Sequence, residues 1–402
     1  MTLRGPAAPR LGTSLNDLGI ITNGAVLIRN GVIFEVGPSQ RVENLAAARH
    51  AVEINAAGRV VMPGFIDSHT HLAFPPAGAP DSDQEAAARA VRAATGQRLE
   101  LRARAYLEAM ARHGTTTVEI KTGCGPDDAC EAKLLRLLAA IRIDPLEVIP
   151  SYLLRLPPAT PGDVLHGAVD WAANHLLPTI RRRRNIDFAD LVWNPDPDML
   201  PYFERFLAAA RILGFASRIH ADGPSTDSAV DLALSHGVAG MDHLEHASAD
   251  HARRLAAAGI VATLLPGVAL QNGGQLPPAR ALIDAGAPVA LGTNFNPVHS
   301  PMLNMQTTVA LACWRLRMTL EEAISAATIN GAHALRCAGR TGSLEPGKSA
   351  DLVILNAPDY RDLSTCIGTN LVHLTMKRGK FIYKEGEVAP RPPDVISHDE
   401  MV

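Results

Sequence analysis

The stretch Val60-Val61-Met62-Pro63-Gly64-Phe65-Ile66-Asp67-Ser68-His69-Thr70-His71 organises the reading of this chain. Val60 to Ile66 is a largely apolar run that reads as one short buried strand, followed by Asp-Ser-His-Thr-His. Side chains two apart on a strand share a face, so His69 and His71 point the same way at its end. Two imidazoles held like that suit a single metal ion; a pair of surface loop histidines is the plainer alternative.

Outward from this stretch, the chain alternates strands and helices. Candidate strands are Val60–Ile66, Thr115–Ile120, Leu146–Ser151, Asp187–Trp193, Ala216–His220, Gly240–His243, Ile260–Leu264 and Pro288–Leu291. Helical patterns such as Glu85–His113, Asp128–Ile141, Met199–Leu213 and Ser225–Ser235 lie between them. Eight βα units predict a closed (β/α)8 TIM barrel, with reactive groups at the C-terminal ends of its strands. Thr319-Leu320-Glu321-Glu322 reads as a capping-box helix start beyond the eighth strand.

The flanks read differently. Gly24 to Val42 alternates around Asn30-Gly31, a hairpin signal, and Val52 to Ile54 reads as a further strand. Ala350 to Leu355 reads as a buried strand, and Thr375 to Tyr383 as strand-turn-strand. The expectation is an α/β protein with three parts: residues 1–63 and 341–402 forming one small β-sandwich, and residues 64–340 inserted between them as the barrel.

Composition narrows the function classes. The chain has 402 residues, 47% hydrophobic and 20% charged, with a net charge of −3. That balance argues against nucleic acid or an anionic membrane as partner and favours a small-molecule substrate; a homodimer is the assembly left open. Arg181 to Arg184, the only basic run, reads as a helix end. Five scattered cysteines without a CxxC read as reduced thiols of a cytoplasmic protein. The first residues lack the apolar segment of a signal peptide, and no stretch approaches a membrane span.

Reactive side chains follow the strand candidates: Glu119, Lys121 and Cys124 after the second, His220 and Asp222 after the fifth, His243 and Glu245 after the sixth, Asn294 after the eighth. A lone histidine is more often structural than functional. Histidines after three strands of one barrel point to a shared site.

The PGFID-x-HxH stretch resembles the first strand of the amidohydrolase superfamily. GTTTVEIKTG, RIHAD, DHLE, LPPARALIDAGAPVALGTNFNP and GSLEPGKSADLVILNAPDYRDL resemble the imidazolonepropionase family, from about residue 24 to 385. The resemblance implies a metal-dependent hydrolase that opens a five-membered nitrogen ring at a C–N bond. It implies one divalent ion, Zn2+ in preference to Fe2+, on His69, His71 and His220, with His243 beside the substrate.

The chain departs from that family's pattern at five places. Asn294 replaces the Asp of a T-D-x-N-P motif, and Gly223 the acid after HAD. Cys124 replaces a loop Tyr, FPPAGAP over 74–80 lacks an Arg, and no histidine matches the one near Arg155. An amide can ligate through its oxygen but is no general base. The metal set therefore reads as His69, His71, His220 and Asn294; the catalytic set as His243, Asn294 and Asp222; and the substrate contacts as Cys124, Arg155 and Glu245. Asp222 and Glu245 are candidate replacement bases, with Asp222 alternatively orienting a ligand. Cys124 reads as a loop filler, with nucleophile or soft ligand as alternatives, and Lys121 as the partner of Glu119 or, alternatively, a carboxylated bridge between two metals.

A metal on three imidazoles brings the pKa of bound water to about 7, so a hydroxide forms with little help from a base. The functional expectation is hydrolysis of an imidazolone, hydantoin or thioxo-imidazolone with an acidic side chain, by ring opening or by hydrolytic exchange of ring sulfur. The alternative is a non-catalytic ligand-binding or regulatory homologue.

Overall fold

The computed structural model describes residues 1–75, 84–125, 127–156, 162–221, 223, 226–297 and 300–386. Its strands, in chain order, are β1 (Gly24–Arg29), β2 (Val32–Pro38), β3 (Val61–Pro63), β4 (Phe65–Asp67), β5 (Thr115–Lys121), β6 (Glu147–Leu154) and β7 (Phe188–Val192). They continue as β8 (Arg218–Ala221), β9 (Gly240–His243), β10 (Val261–Leu264), β11 (Val289–Leu291), β12 (Leu352–Leu355), β13 (Val372–Lys377) and β14 (Lys380–Lys384).

β4 to β11 form one eight-stranded sheet in sequence order, parallel throughout. Helices such as Gly96–Arg112, Asp128–Ala140, Leu200–Ile212 and Thr226–His236 connect the strands. The two sheet edges meet at the histidine stretch. Ser68 Oγ donates to Leu291 O (2.7 Å), Asn294 N to His69 O (3.0 Å) and His71 N to Phe295 O (2.8 Å). A Cβ on Gly292 would lie 2.9 Å from His69 Cβ and 3.0 Å from its backbone nitrogen, so glycine lets the last strand approach the first. The result is the α/β TIM barrel expected from the alternation.

The apolar run that opened the sequence reading is not one strand but two, in different sheets. β3 pairs antiparallel with β12 in the sheet β14-β13-β12-β3, while β4 enters the barrel beside β5. The switch falls at Gly64, where an added Cβ would meet the Thr116 side chain at 2.2 Å. A continuous strand cannot serve two sheets, and glycine permits the crossing within one residue.

The N-terminal hairpin forms around Asn30 and Gly31, with φ of 53° and 79°, the left-handed pair that such a turn requires. Its Ile33 and Val36 pack with Leu344, Leu352, Ile354, Leu374 and Met376. Val52 to Ile54 corrects the expectation of a strand: Val52 is 91% exposed and the segment has no ladder partner. A short apolar run without a neighbouring edge has nothing to pair with. Where the barrel meets the four-stranded sheet, Lys377 Nζ reaches Glu147 (3.0 Å) and Asp351 (2.8 Å), and Arg340 Nε also reaches Glu147 (3.0 Å). Residues Arg181 to Arg183 end a helix, with Arg184 as its left-handed cap. The capping box at Thr319 forms with Glu322.

Candidate active site

The C-terminal ends of β4, β8 and β9 bring four imidazoles together. His69 and His71 follow β4, His220 lies in β8 and His243 ends β9, and all four are buried. One ring nitrogen each from His69, His220 and His243 lies within 4.8 Å of the others. His69 Nε2 and His71 Nε2 are 3.3 Å apart. Two nitrogens bound to one tetrahedral zinc at 2.0–2.1 Å would be about 3.3–3.4 Å apart, the spacing seen here.

Two further observations fit a metal. His220 Nε2 and Asn294 Oδ1 are buried and have no hydrogen-bond partner, which is costly unless a ligand completes them. The rings also carry the protonation state that ligation needs. Burial, reinforced by the Lys121 ammonium, pushes His69 down to about 3. Burial first, then neighbouring cations and rings, pushes His71 and His220 well below the ordinary imidazole value. Neutral imidazoles present lone pairs to a metal. The cluster is thus a candidate site for a divalent ion.

Beneath the histidines lies a buried ionic layer. Lys121 Nζ is 2.7 Å from Glu119 and 2.8 Å from Asp190, with all three side chains fully buried. Arg218 Nη2 also reaches Glu119 and, at 2.9 Å, Asp190. Ser151 Oγ donates to Glu119 (2.5 Å). Asp242 Oδ2 accepts from His69 Nδ1 at 2.9 Å and lies 3.5 Å from His220 Nε2 and 3.6 Å from Lys121 Nζ. Burial opposes ionisation of Asp242, but Arg218 and Lys121 hold its carboxyl well below the usual range. Lys121 is therefore engaged by the carboxyl groups of Glu119 and Asp190. Below His69, Asp67 accepts from Thr293 N (2.9 Å) and Thr293 Oγ1 (2.6 Å), and burial raises its carboxyl to about 6.

The remaining predicted residues divide. His243 Nδ1 is 3.3 Å from Glu245 Oε1. His243 and Leu244 have φ of 75° and 65°, an uncommon backbone for two successive non-glycine residues and one that clusters at functional sites. Asn294, also left-handed at φ 56°, is anchored by its backbone nitrogen on His69 O. Arg155 follows β6 and lies close enough to His71 for its charge to contribute to the depressed imidazole pKa. Asp222 lies outside the described residues.

Cys124 corrects two expectations. Its Sγ is joined to Cys130, so these two cysteines are not reduced thiols and Cys124 offers neither a nucleophile nor a soft ligand in this state. Cys313, Cys337 and Cys366 remain free. The helix Asp128–Ala140 brings Cys130 beneath the loop, where Glu131 accepts from Thr122 Oγ1 (2.5 Å) and Cys124 N (3.3 Å). A six-residue separation carries no pairing signal of its own.

Sequence reading gave no role to Asp242, Asp190 or Arg218. A signal existed: each is a charged residue inside a short, otherwise buried strand. Such residues are rarely fully buried unless paired.

Comparison with known proteins follows this geometry. The amidohydrolase family matches residues 52–102 and 80–383. Imidazolonepropionase of Geobacillus kaustophilus (strain HTA426) is 35% identical over 421 aligned positions, covering 96% of this chain and 97% of that protein. The imidazolonepropionase of Geobacillus thermodenitrificans (strain NG80-2) is 36% identical over 418, with 96% and 97% covered. Among solved structures, N-isopropylammelide isopropylaminohydrolase from Burkholderia multivorans ATCC 17616 superposes with TM-score 0.70 at 19% identity, covering 90% of this chain and 95% of that one. A zinc-bound adenosine deaminase from Xanthomonas campestris gives TM-score 0.69 at 20% identity, covering 92% and 90%. These two likenesses speak to the fold. The chain belongs to the amidohydrolase family and is a homologue of the imidazolonepropionases.

Proposed function

We propose that this chain is a hydrolase using one divalent metal ion, Zn2+ by preference, to open a five-membered nitrogen ring bearing an acidic side chain. The observation that carries the reading is the convergence of four buried imidazoles from three strand ends, with burial holding His69, His71 and His220 in the neutral form and a spacing of 3.3 Å between His69 Nε2 and His71 Nε2. His69, His71 and His220 would hold the ion, with Asn294 Oδ1 at its edge. When bound, the ion supplies Lewis-acid activation of water and of the ring carbonyl.

The chain's own residues supply the rest. Water adds to the ring carbonyl carbon, the C–N bond breaks, and the ring nitrogen takes up a proton. His243 is placed to carry that proton: it ends a barrel strand beside His69 and His220, with Glu245 Oε1 3.3 Å from its Nδ1. Arg155, whose charge acts on His71, is the candidate partner of the acidic side chain. Asn294 cannot take a proton from water near neutral pH, so the reaction would depend on an already ionised nucleophile.

The test is metal analysis with a substrate panel. Protein stripped by chelator and resupplied with Zn2+ should bind about one equivalent per chain. It should turn over one of a set of imidazolones, hydantoins and thiohydantoins with acidic side chains. Imidazolonepropionate itself should be a poor member of that set, because the positions expected to bind its carboxylate have changed. Binding of less than about 0.2 equivalents would sink the metal site. Full metal binding with no turnover of any member would favour the ligand-binding alternative.

A further inference from the structure

We infer that Asp242 is the positioning residue of this site, acting on the metal through the ring of His69 without touching the ion; the inference rests on the metal-site reading above.

Asp242 sits in β9 between Met241 and His243, and its side chain is fully buried. An ionised carboxylate only accepts, so its 2.9 Å contact with His69 Nδ1 places the ring hydrogen on Nδ1. His69 Nε2 is then left with its lone pair, and it is this nitrogen that lies 3.3 Å from His71 Nε2. The carboxylate therefore sets both the tautomer and the plane of the ring that faces the site.

The layer below explains why Asp242 is available for this task. Lys121 makes its short contacts with Glu119 and Asp190, and Arg218 does the same, so Asp242 has His69 as its one short partner among the described residues. Its other oxygen, Oδ1, is buried without a hydrogen-bond partner. Among the described residues the layer holds three carboxylates, Glu119, Asp190 and Asp242, against two cations, Lys121 and Arg218.

Both readouts use the full-length protein. Zn2+ affinity is measured by competition with a chromophoric chelator for the wild type and for Asp242→Asn, which keeps the shape and removes the charge. The variant should bind roughly 10- to 100-fold more weakly, as loss of an outer carboxylate typically does. Long-range 1H–15N spectra of metal-free wild type should show His69 as the Nδ1–H tautomer, a readout that a purely structural role would not require and that needs no variant to fold. A His69 ring protonated on Nε2, or an unchanged affinity in Asp242→Asn while the wild type binds Zn2+, overturns the inference alone. Loss of affinity beyond about 1,000-fold would make Asp242 a direct ligand and overturn it as well. A wild type that binds no Zn2+ overturns the metal-site reading and this inference with it.

Discussion

Replacing Lys121 with Met tests the ionic layer directly. Lys121 Nζ lies 2.7 Å from Glu119 and 2.8 Å from Asp190, with no exposed side-chain surface on any of the three. At an effective dielectric near 20, each contact is worth a gross attraction of about 6 kcal/mol. Most of that is offset by stripping water from the ions, and removing one partner of a buried pair typically costs about 3–5 kcal/mol. Arg218 still reaches both carboxylates in the variant, and Ser151 still donates to Glu119, so the lower end is expected: about 3 kcal/mol. Urea unfolding of metal-free protein, read as the shift in midpoint multiplied by the slope, measures it. Adding Asp190→Asn to the Lys121→Met background should recover part of the loss, because one uncompensated carboxylate is then removed. A loss below about 1 kcal/mol would refute the reasoning, since it would mean water reaches the layer. A fall in bound metal with stability unchanged would instead favour a carboxylated lysine bridging two ions.

Asn294→Asp should tighten divalent-metal binding and lower turnover of a substrate with an acidic side chain, because a second anion weakens the Lewis acid and repels the ligand; no change in metal affinity or in activity on the ring panel would place position 294 outside the reaction. Glu147 tests the junction between barrel and sheet. Burial opposes its ionisation, but Lys377 and Arg340 together hold its carboxyl down to about 2, from an ordinary 4.5. Because the folded value is the lower one, its contribution is present above pH 4.5 and fades as the pH falls through about 2, amounting to about 3 kcal/mol. Glu147→Gln should therefore lose roughly that much at pH 7 and show a flatter stability curve between pH 4.5 and 2; equal loss at pH 7 and pH 2 would contradict the linkage. Protein purified without reductant and then denatured should show three titratable thiols, from Cys313, Cys337 and Cys366, and yield a Cys124–Cys130 peptide on non-reducing mapping.

What this sequence determined by itself is what local chemistry can encode. Asn30-Gly31 specified its hairpin because the turn needs two left-handed residues. The barrel was legible because eight buried strands separated by helical patterns admit few arrangements. His69 and His71 announced themselves because positions two apart share a face. Tertiary structure alone decided the pairings between elements distant in the chain. Gly64 looked like part of one apolar strand, yet it divides two sheets, because only the positions of β12 and β5 show that each half has a different partner. The bond between His69 and Asp242 spans 173 residues, and the layer of Glu119, Lys121, Asp190 and Arg218 draws on three strands. Cys124 found Cys130 because a helix start lies beneath its loop. Periodicity reports which face a side chain takes on its own strand. Which charges meet inside the barrel depends on register between strands, and no single strand carries that information.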